Sequence, residues 1–99
     1  MKEVVIYEVN CTGLFSKFYL DKLEALDYAQ AFYERLSAER QRYTDLIIDG
    51  FEINVPKDYE VTTANKLVED LFFNRIISPQ YNNFDGSFKK SKIVFKMSF

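Results

Sequence analysis

Only five of the 99 residues are glycine or proline, and that scarcity constrains the fold more than any other feature of the chain. Glycine supplies positive φ and proline interrupts regular structure, so there are few places where the backbone turns sharply. The stretches between Gly13, Gly50, Pro56, Pro79 and Gly86 must therefore be largely helix or strand, and their apolar period says which.

Glu3 to Asn10 is rich in β-branched and aromatic residues and reads as a strand. Cys11-Thr12-Gly13 supplies a turn, and Leu14 to Leu20 returns as a second strand. Asp21, with Glu24 three residues later, is a capping-box signature for a helix running to about Gln41. Ala25, Leu26, Ala29, Phe32, Tyr33 and Leu36 form its apolar stripe. Thr44 to Val55 reads as a third strand, in which Phe51, Ile53 and Val55 alternate with Glu52 and Asn54, and Gly50 marks a bulge or kink.

Beyond Pro56, Thr62 or Thr63 caps a second helix with Leu67, Val68, Leu71, Phe72 and Ile76 inward, stopped by Ser78-Pro79. Gln80 to Gly86 reads as a polar loop. Lys92 to Phe99 alternates as a last strand, placing Ile93, Phe95, Met97 and Phe99 inward and Lys90, Lys92 and Lys96 toward solvent. The order ββαβαβ predicts one α+β domain over residues 1–99. Its expected form is a two-layer sandwich of about four strands with two helices on one face.

The composition narrows the chemistry. There is no histidine and no tryptophan, and Cys11 is the single cysteine. One cysteine without histidine builds no closed zinc site, and imidazole acid–base catalysis is excluded. Cys11 at a hairpin turn is expected to be exposed, and it would need a lysine or a helix N-terminus to become a nucleophile. Paired carboxylates remain open to acid–base work: Glu24 with Asp27, or Asp49 with Glu52 around Gly50. Asn83-Phe84-Asp85-Gly86 resembles the middle of a calcium loop, but Tyr81 and Lys92 stand where the first and closing ligands belong, so a turn held by Asn and Asp side chains is expected instead. No Gly-rich phosphate loop is present, and no cofactor is indicated. Without a leader-type segment, a membrane-length apolar run or a second cysteine, the expected compartment is the cytoplasm, with no membrane partner.

The net charge of −2 hides a gradient. Residues 1–70 carry 14 acids and 8 bases, whereas residues 71–99 carry 5 bases and 1 acid. Lys89, Lys90, Lys92 and Lys96 lie beside Tyr81, Phe84 and Phe88, a basic and aromatic mixture suited to tracking phosphates and stacking bases, or to guarding an edge strand with lysine. Arg35, Arg40 and Arg42 with Tyr43 form a second candidate surface of the residue types favoured at protein interfaces. A homodimer through the last strand is a further expectation, opposed by its lysines.

Lys, Asn, Ile, Phe and Tyr together make 39 residues against 14 for Gly, Ala, Arg and Pro, a bias toward AT-rich codons. The first 55 residues, a strand pair entering Asp21-Lys-Leu-Glu-Ala-Leu-Asp-Tyr-Ala-Gln and then a strand containing Asp49-Gly-Phe-Glu-Ile-Asn, resemble small uncharacterised proteins of phages and low-GC bacteria. The resemblance implies a non-enzymatic accessory or anti-defence protein, a class that includes anti-CRISPR proteins, acting on a host protein or nucleoprotein. It implies no catalytic residue. A nucleic-acid-binding accessory domain and a small carboxylate-dependent enzyme are the alternatives.

Overall fold

The computed structural model describes all residues, Met1–Phe99. In chain order it contains β1 (Lys2–Cys11), β2 (Phe15–Tyr19), α1 (Lys22–Glu34), α2 (Ala38–Tyr43), β3 (Leu46–Val55), α3 (Ala64–Phe72), β4 (Tyr81–Asn82), β5 (Ser87–Phe88) and β6 (Ile93–Ser98). Strands β2-β1-β3-β6, in that order, form an antiparallel sheet, and β4 with β5 forms a separate small hairpin. The class is α+β, broadly the expected sandwich. No helix is long and apolar enough to cross a membrane.

The caps behave as the sequence requires. Asp21 accepts a hydrogen bond from the Leu23 N–H at 3.1 Å, and Thr63 accepts one from the Lys66 N–H at 3.1 Å. Each such cap contributes about 1 kcal/mol to its helix.

The placement of the helices differs from expectation. Residues directly opposite on antiparallel strands share a face, and successive residues alternate. Val9 pairs with Ile48 and Cys11 with Leu46, and these four pack on Ala25 and Ala29 of α1. Ile6 pairs with Phe51 and Val4 with Ile53, and these pack on Leu67 and Leu71 of α3 and on Phe88 of the hairpin. The two sets have opposite parity along both β1 and β3, so α1 and α3 cover opposite faces of the sheet rather than one. Each end of the sheet is thus locally two layers, and the covering layer changes side half-way along. The molecule is correspondingly elongated, 46 × 27 × 21 Å.

The pivot is Gly50. A β-carbon there would lie 2.7 Å from Tyr7 Cε1 and 3.0 Å from Phe95 Cβ, so the close approach of these side chains requires glycine. The ladder to β6 is irregular at the same place: Gly50 pairs with Phe95 but Phe51 with Ile93, leaving Val94 as an extra, bulged residue. The expected irregularity at Gly50 is therefore present, with the additional residue in the partner strand. The bulge also turns Ile93 onto the α3 face while Phe95 and Met97 stay on the α1 face. Ile93 and Met97 are exposed rather than inward, because β6 is an edge strand that neither helix reaches across fully.

Three other segments depart from the sequence reading. The first helix stops at Glu34, and Ser37 restarts the chain as the short α2 by accepting from the Arg40 N–H at 3.2 Å. The second helix ends at Phe72, before Ser78-Pro79, because Asn74 takes a left-handed φ of 57° and the Arg75 and Ile76 N–H groups fold back onto the Asp70 carbonyl. The polar loop holds β4 and the turn of the β4–β5 hairpin. Its turn is held by Asn82 Oδ1 accepting from the Phe84 N–H and Asp85 Oδ1 accepting from the Ser87 N–H, with Gly86 at φ 70°.

Candidate functional site

The lysine cluster is brought together by the fold, but not as an open basic strip. Glu8 and Asp49 are cross-strand neighbours on the α3 face, both nearly buried. Lys90 reaches in from the segment before β6 to bridge them, ion-paired to Glu8 and 2.9 Å from Asp49 Oδ2, with its ammonium over the Phe51 ring. Lys96, opposite Asp49 in the ladder, points its ammonium to within 3.9 Å of the same carboxylate. Lys92 lies on the other face, 2.7 Å from Glu52 and 3.7 Å from Glu3.

Burial works against the charge on Lys90, but the hydrogen bonds it donates to Glu8 and Asp49 outweigh it and raise its pKa. The Glu52 carboxylate raises Lys92, and Lys92 in turn lowers Glu52. The expectation that Lys90, Lys92 and Lys96 share one solvent-facing strip is thus corrected. Four carboxylates from β1 and β3 meet three lysines, and of the four clustered lysines Lys89 alone makes no ion pair. Such a patch offers phosphates little uncompensated positive charge.

The aromatic half of that surface divides in the same way. Phe88 is in the core, with its ring 5.4 Å from that of Phe51 and 5.7 Å from that of Phe18. Tyr81 packs on Phe88 and buries its hydroxyl without a hydrogen-bond partner, so burial and, secondarily, Asp85 push its pKa up. Phe84 alone is presented to solvent, 97% exposed at the hairpin tip. Asn83 next to it donates to Asn74 Oδ1, tying the tip to the end of α3, where Phe72 and Phe73 are also exposed.

The arginine surface keeps its charge free. None of the guanidinium groups of Arg35, Arg40 and Arg42 makes an ion pair or hydrogen bond within the chain, and α2 has no buried residue. Arg40 lines a groove of roughly 440 Å³ between the β1–β2 turn, the end of α1 and α2, walled by Leu14, Phe32, Leu36 and Tyr43. Leu14 is 73% and Tyr43 83% exposed.

The carboxylate pairs read from the sequence do not converge. Glu24 and Asp27 are both exposed on α1. Asp49 and Glu52 lie on opposite faces of the sheet, so the true neighbour of Asp49 is Glu8, a pairing that depends on strand order and has no local signal. No three His, Cys, Asp or Glu side chains gather in metal-ligating geometry. Cys11 is buried rather than exposed, with its thiol pKa raised by burial and then by Asp45, the opposite of what activates a nucleophile. A further buried acid, Asp70, missed at the sequence level, accepts from Tyr59 Oη at 2.6 Å, Lys66 Nζ at 2.7 Å and Arg75 Nη1 at 3.2 Å. These donors occupy both its oxygens and staple the 56–63 loop and the 73–77 segment to α3.

The chain matches no family model, no curated protein and no solved structure. Its candidate site therefore rests on geometry, and geometry separates a self-neutralised lysine patch from an unneutralised arginine corner.

Proposed function

We propose that this chain is a small non-enzymatic binding protein whose working surface is the α1–α2 corner. One observation carries the reading: Arg40 and Arg42, without partners, stand on a helix that buries nothing, Arg40 lines a groove edged by exposed Leu14 and Tyr43, and unpaired Arg35 caps the end of α1 nearby in the chain. An exposed Arg, Tyr and Leu set around a concavity has the chemistry of an interface centre, where an apolar side chain is buried and a carboxylate meets a guanidinium. The target is a protein of the host cell that presents an apolar side chain flanked by acidic residues. Action in the cytoplasm as an inhibitor or modulator, of the anti-defence kind, is the biological form of this proposal.

The nucleic-acid reading is disfavoured by the ion pairs on Lys90, Lys92 and Lys96, and the enzymatic reading by the separation of Asp49 from Glu52. The test is retention of host proteins by the tagged chain in three forms: unaltered, Arg40→Glu/Tyr43→Ala, and Lys89→Ala/Lys96→Ala. A protein held by the first and third forms and lost by the second supports the proposal. Retention that survives the corner changes, or that disappears with nuclease or with the lysine changes, overturns it.

A further inference from the structure

We infer that β6 pairs with β6 of a second copy of this chain, making a two-fold, continuous eight-stranded sheet. The proposal is independent of the α1–α2 corner. It begins from the two edges of the sheet, which differ. β2 is five residues long with Ser16 and Lys17 at its centre, whereas β6 exposes Val94, at 47%, and Met97, at 38%, beside the aromatic rings of Phe95 and Phe99. Lysines commonly blunt such an edge. Here the ammonium groups of Lys92 and Lys96 are drawn back over the sheet faces toward Glu52 and Asp49.

The register follows from the backbone and the charges. The Phe99 N–H donates to the Leu46 carbonyl at 3.0 Å, so Phe99 directs its backbone groups at β3. By the alternation of an antiparallel ladder, Met97 and Phe95 do the same, leaving the N–H and C=O groups of Lys96 and Ser98 on the open edge. A seam must join outward residues to outward residues, and registers reaching past Val94 would have to bridge the bulge. Lys96 opposite Lys96 sets like charges face to face. Ser98 opposite Ser98 overlaps only three residues. Lys96 opposite Ser98 of the second copy satisfies both constraints. It sets Met97 against Met97 on the two-fold axis and Phe95 against Phe99, all on the α1 face. The second copy is thus the occupant that this strand complements. Because opposite residues share a face, the two α1 helices would lie on the same side of the joined sheet.

A seam of five residues per strand is small, so assembly is expected to depend on concentration. Sedimentation velocity over about 10 µM to 1 mM should show a monomer converting to a dimer. Met97→Lys should weaken the dimer about tenfold or more by placing like charges on the axis. Ser98→Pro, which removes an outward N–H and no bond to β3, should weaken it as well. Met97→Cys should cross-link on mild oxidation, because non-hydrogen-bonded antiparallel partners hold their Cα atoms at disulfide distance. Lys17→Cys on the other edge should not, and the buried Cys11 does not compete. Circular dichroism melts confirm that each variant is folded. A sedimentation coefficient flat with concentration overturns the inference. So does self-association that survives both Met97→Lys and Ser98→Pro, or that leaves Met97→Cys uncross-linked.

Discussion

Tyr7 occupies the space that a side chain at Gly50 would need: the two residues are paired across β1 and β3, and Tyr7 Cε1 lies 2.7 Å from the position of an added β-carbon. Gly50 is not at positive φ, so its role is to let the ring pass. Gly50→Ala is therefore expected to destabilise the protein by about 1–3 kcal/mol through overpacking. Equilibrium urea unfolding checks the value, and combining the change with Tyr7→Ala should cost less than the two changes summed.

Lys90 is the cation that allows Glu8 and Asp49 to sit side by side nearly out of water. Lys90→Met leaves Glu8 without a cation and Asp49 with only the longer Lys96 contact, and should cost about 2–3 kcal/mol, less than a fully buried pair because Lys90 keeps some exposure. Lys89→Met, one residue away and unpaired, should stay within about 0.5 kcal/mol of the parent. Equal losses from the two changes would mean that the ion pairs contribute nothing specific.

The Asp70–Tyr59 contact contributes to the pH dependence at both extremes. Hydrogen bonds from Lys66, then Tyr59, with Arg75 adding to them, hold the Asp70 carboxyl at about 2, and burial followed by Asp70 pushes Tyr59 up to about 12. Between pH 4 and 2 the unfolded carboxyl takes up its proton first, so stability falls as pH drops through that window. Between pH 10 and 12 the unfolded phenol loses its proton first, so stability falls as pH rises. Asp70→Asn should make the acid arm shallower, and Tyr59→Phe should make the alkaline arm shallower while costing about 1–2 kcal/mol at neutral pH. Melting temperatures measured across pH for the three proteins decide this.

Tyr81 gives the opposite sign. Its buried hydroxyl has no partner, so Tyr81→Phe removes a desolvated polar group and should stabilise the protein by up to about 1 kcal/mol. A loss of stability in thermal or urea unfolding would show that the hydroxyl is satisfied in solution.

Much of this architecture was legible in the sequence because it is local. Asp21 and Thr63 announced their helices, Phe51-Ile53-Val55 announced a half-buried strand, and Gly50 announced the break in the ladder. The placement of the helices on opposite faces also had a local signal that is easily passed over. In β3 the buried positions are Leu46 and Ile48 before Asp49-Gly50, and Phe51, Ile53 and Val55 after it, so the phase of the alternation flips within one strand. In β1 apolar residues occupy both faces, which conceals the same switch. The charge pattern was not legible, because which acid meets Lys90 or Lys92 depends on strand neighbours 40 or more residues away. The arginine corner was visible as a composition, and the lack of any intramolecular partner became apparent only in three dimensions.

The change of covered face along the sheet has a mechanical consequence. The two hydrophobic clusters share no side chain, only the backbones of β1, β2 and β3, each of which sends side chains into both. Strain applied at the α1–α2 corner therefore reaches the β4–β5 hairpin as a twist of the hydrogen-bonded strands, across the row Tyr19, Tyr7, Gly50 and Phe95. The molecule is in that sense a torsion bar with a load at each end, and the residue with no side chain lies where the twist must pass from one load to the other.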